Sequence, residues 1–173
     1  KIVLESGYSR HTSSGSVCFS TPNGGTHGSS GSLAIFSGTA SSGDSGSVSV
    51  NTGSAAGGRG GGINIMVGHG NSASGGTIEI TAGDSAADTA RGGDILVTAG
   101  ATDGAVASGG HVIVSAGHSK ENNCPDCLGG DVTVVGGTAQ SGDGGNVVLQ
   151  AGASNSGSHG HVHVKDGAGV SRI

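Results

Sequence analysis

The sequence predicts an all-β chain, a single β-solenoid domain over residues 1–173 built from about eleven parallel coils of roughly 15 residues with glycine-rich corners. Three observations predict it. A short apolar motif recurs along the whole length, its spacing is nearly constant, and glycine (39 residues) and serine (27) fill what lies between the copies.

The motif reads glycine, any residue, apolar, any, apolar, two residues, glycine. Copies start at Gly31 (GSLAIFSG), Gly46 (GSVSVNTG), Gly76 (GTIEITAG), Gly93 (GDILVTAG), Gly110 (GHVIVSAG), Gly130 (GDVTVVGG) and Gly145 (GNVVLQAG). Variants are headed by Gly15, Gly62 and Gly160, and Ile2-Val3-Leu4 opens a copy cut off at its front. Successive first apolar residues are separated by 15, 16, 15, 15, 15, 17, 17, 20, 15 and 15 positions, which leaves no room for a domain boundary. Two apolar residues one apart point to the same side of an extended segment, and β-branched types dominate here. The third position of that parity (Ser6, Thr21, Ser37, Thr52, Val67, Ala82, Ala99, Ala116, Gly136, Ala151, Asp166) is mostly small, so the wall narrows toward the following glycine. Stacked in parallel, one copy per coil, such strands bury their apolar face and pair their backbones. Antiparallel hairpins need two alternating kinds of strand, and only one kind is present.

Composition narrows the function classes. Aromatics are 2% and charged residues 11%, too few large side chains for an ordinary globular core. A net charge of −5 with seven Lys+Arg argues against nucleic acid as a partner. No run approaches the ~20 apolar residues of a membrane-spanning helix, so no membrane insertion is expected. The chain has neither an initiating methionine nor a signal-peptide pattern at its front, which reads as a processed chain or a fragment.

Residues on the outer side of the strands are the candidate contact surface. Leu96, Ile113, Val135 and Val148 fall in four successive coils and are expected to form an apolar stripe, with Phe36 and Met66 as further apolar points. Ile2, on the uncapped first strand, and Ile173, at the far end, are expected to meet neighbouring copies head to tail. An ice-binding face wants a small polar residue, commonly threonine, repeated on every coil. Thr81 and Thr98 are instead followed by Ser115 and Val135, so that regularity is missing.

Cysteines and histidines offer weaker signals. Cys124 and Cys127 lie in a loop insertion over 118–129, in the longest interval, and read as a local disulfide in an oxidising compartment. One CxxC is half a zinc site at best, and no thioredoxin-like βαβ context surrounds it. Cys18 is left over, as a free thiol or an intermolecular link. His159, His161 and His163 alternate in SHGHVHV and are weak metal candidates; surface polarity is the plainer reading. Asp94, His111 and Asp131 share one slot in three successive coils, while the remaining aspartates fall out of phase, unlike a calcium β-roll. No cofactor is expected. The coil carries no convergent carboxylate pair and no nucleophile–base spacing, so no enzyme is expected either. Exposed Ser and Thr are candidate O-glycan positions, and no N-linked sequon is present.

The repeat, in forms such as GGTIEITAGDS and GGNVVLQAGAS, resembles Gly/Ser-rich repeat proteins of unicellular algae such as diatoms. That resemblance implies an extracellular or cell-surface structural role. The expectation is therefore a non-catalytic extracellular subunit of a self-assembling filament or surface layer, partnered by copies of itself. An ice-binding or adhesin-type module is the alternative.

Overall fold

A computed structural model describes residues 1–71, 74–104, 106–120 and 127–167. Its contacts divide the chain into two units, Lys1–Glu79 and Ile80–Ile173, with the division falling inside the apolar triplet Ile78–Ile80. Both carry the apolar repeat, and of the six glycine-to-glycine bonds that close its loops one lies in the first unit and five in the second.

The predicted β-solenoid is overturned. Among the described residues there is no helix and no sheet, and the one bridge residue is Lys165. No described residue is buried, so the two columns typified by Ile95 and Val97 line no interior. The chain exposes 17010 Å² at 16.1 kDa. A folded chain of that mass exposes about 7,400 Å² and an unfolded one about 23,000 Å², so the chain lies nearer the unfolded value.

The physical reason lies in the coil itself. Two aliphatic side chains are all that one coil would bury, whereas some fifteen residues would have to be ordered. Glycine and serine make 66 of the 173 residues, and glycine loses more backbone freedom on ordering than any other type. A single chain has too little apolar area per residue to hold such a coil. What it holds instead is local.

The local element is a closed loop between consecutive apolar segments. We call each apolar segment, from the residue after its head glycine to the sixth residue after it, an arm. Where an arm ends, the chain loops out and returns, and in six of the loops the next head glycine donates its N–H to the carbonyl of the glycine that follows the arm. Gly15 donates to Gly7 (2.9 Å), Gly93 to Gly83 (2.8 Å), Gly110 to Gly100 (2.9 Å), Gly130 to Gly117 (2.8 Å), Gly145 to Gly137 (2.8 Å) and Gly160 to Gly152 (2.9 Å). The partners are eight, ten or thirteen residues apart, yet the bond has the same length. Extending a flexible loop from eight to thirteen residues costs only about 0.4 kcal/mol in closure entropy. The longer intervals of 17 and 20 therefore swell the loop and leave its neck alone.

Glycine at the neck is a matter of space. A Cβ on Gly93 would lie 3.4 Å from the Ala82 Cβ, one on Gly110 3.5 Å from that of Ala99, and one on Gly31 3.3 Å from that of Thr21. A Cβ on Gly76 would come within 2.7 Å of Val67 Cγ1. The residue facing each head glycine is the small third position of the preceding arm. In this column Ser6, Thr21, Ala82, Ala99, Ala116, Gly136, Ala151 and Asp166 are half-buried, and among the described residues only Ser9 and Ser154 share that degree of cover. The narrowing expected from the sequence is thus present, as the neck of a loop. Within the neck, Ser6 Oγ donates to the Gly15 carbonyl (2.7 Å) and Thr21 Oγ1 to that of Gly31 (3.0 Å). At the fifth arm the residue facing Thr52 is Gly61, which makes Gly61 the head glycine where the motif suggested Gly62.

The loops carry their own ties. Two residues past the closing glycine, a hydroxyl often accepts from the backbone ahead of it, as short polar side chains do in turns. Ser9 Oγ accepts from Thr12 N–H (3.0 Å), Thr102 Oγ1 from Gly104 N–H (3.2 Å) and Ser154 Oγ from Gly157 N–H (2.8 Å). Two loops share the string Thr-Ala-x-Ser-Gly-Asp, and in both its glycine takes a positive φ: 94° at Gly43 and 105° at Gly142.

Gly136→Ala tests the neck. An added Cβ there collides with the Gly145 carbonyl group. The expected outcome is a roughly fivefold faster amide exchange at Gly145, the loss of one hydrogen bond worth about 1 kcal/mol, with Gly160 unchanged. Unchanged exchange at Gly145, followed by NMR, would contradict the neck.

Candidate functional site

With no interior to enter, the arms themselves are the most distinctive surface of the chain. Each presents two aliphatic side chains on one side and a mixed set on the other. The inward pair is open to solvent: Ile95 is 55% and Val97 71% exposed. The six residues expected to make outer contacts, Phe36, Met66, Leu96, Ile113, Val135 and Val148, are each more than three-quarters exposed. Ile2 is fully open, and Ile173 lies outside the described residues.

These residues do not form the stripe that stacked coils imply. A stripe requires neighbouring arms about 4.8 Å apart in a ladder, and no ladder joins them among the described residues. Each apolar side chain stands on its own arm. Chemically the arrangement is a row of short, extended, weakly charged segments with apolar side chains on both faces. Their backbone groups form a template of the kind found at unprotected sheet edges.

The polar candidates separate clearly. His159 belongs to a loop: its Nδ1 accepts the Ser154 N–H (2.9 Å), which places the ring proton of the neutral imidazole on Nε2. Neither ring nitrogen is then open to a metal in this conformation. His161 and His163 lie edge to face, with ring centroids 5.9 Å apart. The alternating triple is thus a loop tie followed by an imidazole pair, and no group of three His, Cys, Asp or Glu able to hold a metal is present among the described residues. Asp94 pairs with Arg91 at 3.2 Å within its own stretch of chain. Both side chains are largely exposed, so the pair adds little stability.

Cys127 is disulfide-bonded, while Cys124 lies outside the described residues. Cys18 is free and exposed, between Val17 and Phe19 in the middle of its arm. No cavity is found among the described residues. The loop hydroxyls Ser9, Thr102 and Ser154 escaped the sequence reading. Their signal was a fixed offset from the closing glycine, which an alignment on the apolar columns passes over.

Compared with known proteins, the chain matches no family model, no curated protein and no solved structure.

The cysteines give a direct check on these assignments. In the absence of denaturant, Cys18 is expected to react with a thiol reagent as fast as free cysteine, and Cys127 only after reduction. Cys18→Ser should abolish the fast phase. A slow reaction of Cys18, measured by stopped-flow absorbance, would contradict its exposure.

Proposed function

We propose that this chain is a non-catalytic structural subunit that works outside the cell and gains its order by associating with copies of itself. One observation carries this reading. All the large aliphatic and aromatic side chains of the arms are exposed, from Ile2 through Val164, and none of the described residues is buried. Large apolar side chains left in water in such number favour association with a partner that covers them. The arms are rich in β-branched residues and poor in charge, the composition that favours strand pairing between chains. Hydroxyls, aliphatics and glycine are what each repeat multiplies, and these are groups that pack and hydrogen-bond. An oxidising setting is supported by the disulfide at Cys127, since such bonds persist chiefly in secreted and surface proteins.

Assembly is expected to have a threshold concentration. Negative-stain imaging and sedimentation across a dilution series should show monomers below it and filaments or sheets above it. Leu96→Ser with Ile113→Ser should raise the threshold at least tenfold, because burying one such side chain is worth about 1.5–3 kcal/mol and 1.4 kcal/mol is a factor of ten. Monomers at every concentration would overturn the proposal.

A further inference from the structure

We infer that copies of this chain associate arm on arm, parallel and in register, each arm pairing with the same arm of the next copy. The inference rests on the self-assembly reading above and names its partner and its register. Three features of the chain select this arrangement over the others open to it.

The first is the unevenness of the intervals. They run 15, 16, 15, 15, 15, 17, 17, 20, 15 and 15. Sliding one copy past another by a single arm sets unequal intervals against each other at five of nine places, and a loop of ten residues must then lie on one of thirteen. Reversing one copy sets the 20-residue interval against one of 15. Only the in-register parallel arrangement matches every loop with a loop of its own length and every neck with its own neck.

The second is the outer column of the arms. It runs Val3, Cys18, Ala34, Ser49, Asn64, Glu79, Leu96, Ile113, Thr133, Val148, His163. In register, Leu96 meets Leu96, Ile113 meets Ile113 and Asn64 meets Asn64, so apolar lies on apolar and amide on amide. Shifted by one arm, Glu79 meets Leu96, and His163 meets Val148. Each such meeting places a polar or charged group against an apolar one that it cannot satisfy.

The third is charge. Stacking identical chains in register sets like charges together, which is normally its penalty. Here six of the eleven arms hold no Asp, Glu, Lys or Arg at all: those around Cys18, Ala34, Ser49, Asn64, Ile113 and Val148. Two more balance a lysine against a carboxylate, Lys1 with Glu5 and Lys165 with Asp166. Each of the other three arms holds one carboxylate and no basic residue, at Glu79, Asp94 and Asp131, and Arg91, just ahead of its arm, sits 3.2 Å from Asp94. The occupant of the arm surface is therefore a second copy of this chain, because only that partner repeats the same intervals, apolar positions and uncharged stretches in the same order.

Cys18 supplies the probe, being free, exposed and central in an uncharged arm. A nitroxide attached there in the monomer, without reductant so that the disulfide at Cys127 survives, reports on the distance between copies after assembly. In-register pairing brings successive labels to about 4.8 Å. The expected spectrum is a single exchange-narrowed line, reverting to three lines when labelled chains are diluted tenfold into unlabelled Cys18→Ser chains. The same collapse is expected for Ala34→Cys in the Cys18→Ser background. A chain carrying ¹³C-carbonyl leucine tests the point without a label: four of its five leucines (Leu4, Leu33, Leu96 and Leu149) lie on arms, and solid-state NMR should return a nearest-neighbour carbonyl spacing of about 4.8 Å. Assemblies that keep three resolved lines and a carbonyl spacing well beyond 5 Å would overturn the register and leave self-assembly standing. A chain that stays monomeric at all concentrations would overturn both.

Discussion

The hydrogen bond from one glycine to another at the base of six of the loops, one in Lys1–Glu79 and five in Ile80–Ile173, is the constraint on which the rest of the local structure depends. It is short-range in sequence, so its entropic cost is small, and it needs no side chain at all. Its requirement is the absence of one. The head glycine and the residue facing it approach so closely that a Cβ on Gly76 would clash with Val67 Cγ1, and one on Gly15 or Gly31 would crowd the Ser6 or Thr21 side chain. That condition favours glycine at these heads and a small residue in the third column. It also explains why those residues are among the few with partial cover in a chain that is otherwise open.

Closing the loops divides the chain into parts with different physical roles. The loops satisfy themselves through hydroxyl ties such as Ser154 to Gly157 and, in the last loop, through His159. The arms do not. Their aliphatic side chains remain in water, which is unfavourable in proportion to the area exposed. One arm is too short to order itself against another within the chain at a profit. In six loops, however, a neck already restrains the backbone on both sides. An incoming copy therefore has to order fewer free torsions than it would against an unconstrained chain, and the entropic barrier to pairing falls accordingly.

Much of this construction was legible in the residues. The head glycines and the third column facing them are found where the motif places them, except at the fifth arm, whose head is Gly61 and not Gly62. What the motif could not decide was who pairs with whom. Period-two apolar residues such as Ile95 and Val97 specify a strand face, and they do so equally for a neighbour in the same chain and for one in another. The β-solenoid takes the first answer, and the exposure of these residues rules against it within one chain. The loop hydroxyls went unread for a different reason. Ser9, Thr102 and Ser154 keep step with the glycine that closes the preceding arm, and the apolar repeat is counted from the glycine that opens the next. His159 shows the same limit: alternation grouped it with His161 and His163, whereas its position before the neck makes it part of the loop.

Invariance and variation along the chain point the same way. Every complete arm holds six residues after its head glycine, as from Ser32 to Ser37, Asp94 to Ala99 and Asp131 to Gly136. Loops between the same landmarks vary freely, and the longest of them, between Gly117 and Gly130, accommodates an insertion with the cysteine pair. Loop length is cheap in free energy, so nothing holds it constant. An arm length held constant, while no ladder pairs the arms among the described residues, fits the proposed pairing between copies. A pleated segment of six residues is about 20 Å long and is ordinary for a strand in a sheet. The strands of that sheet, on this argument, come one from each copy.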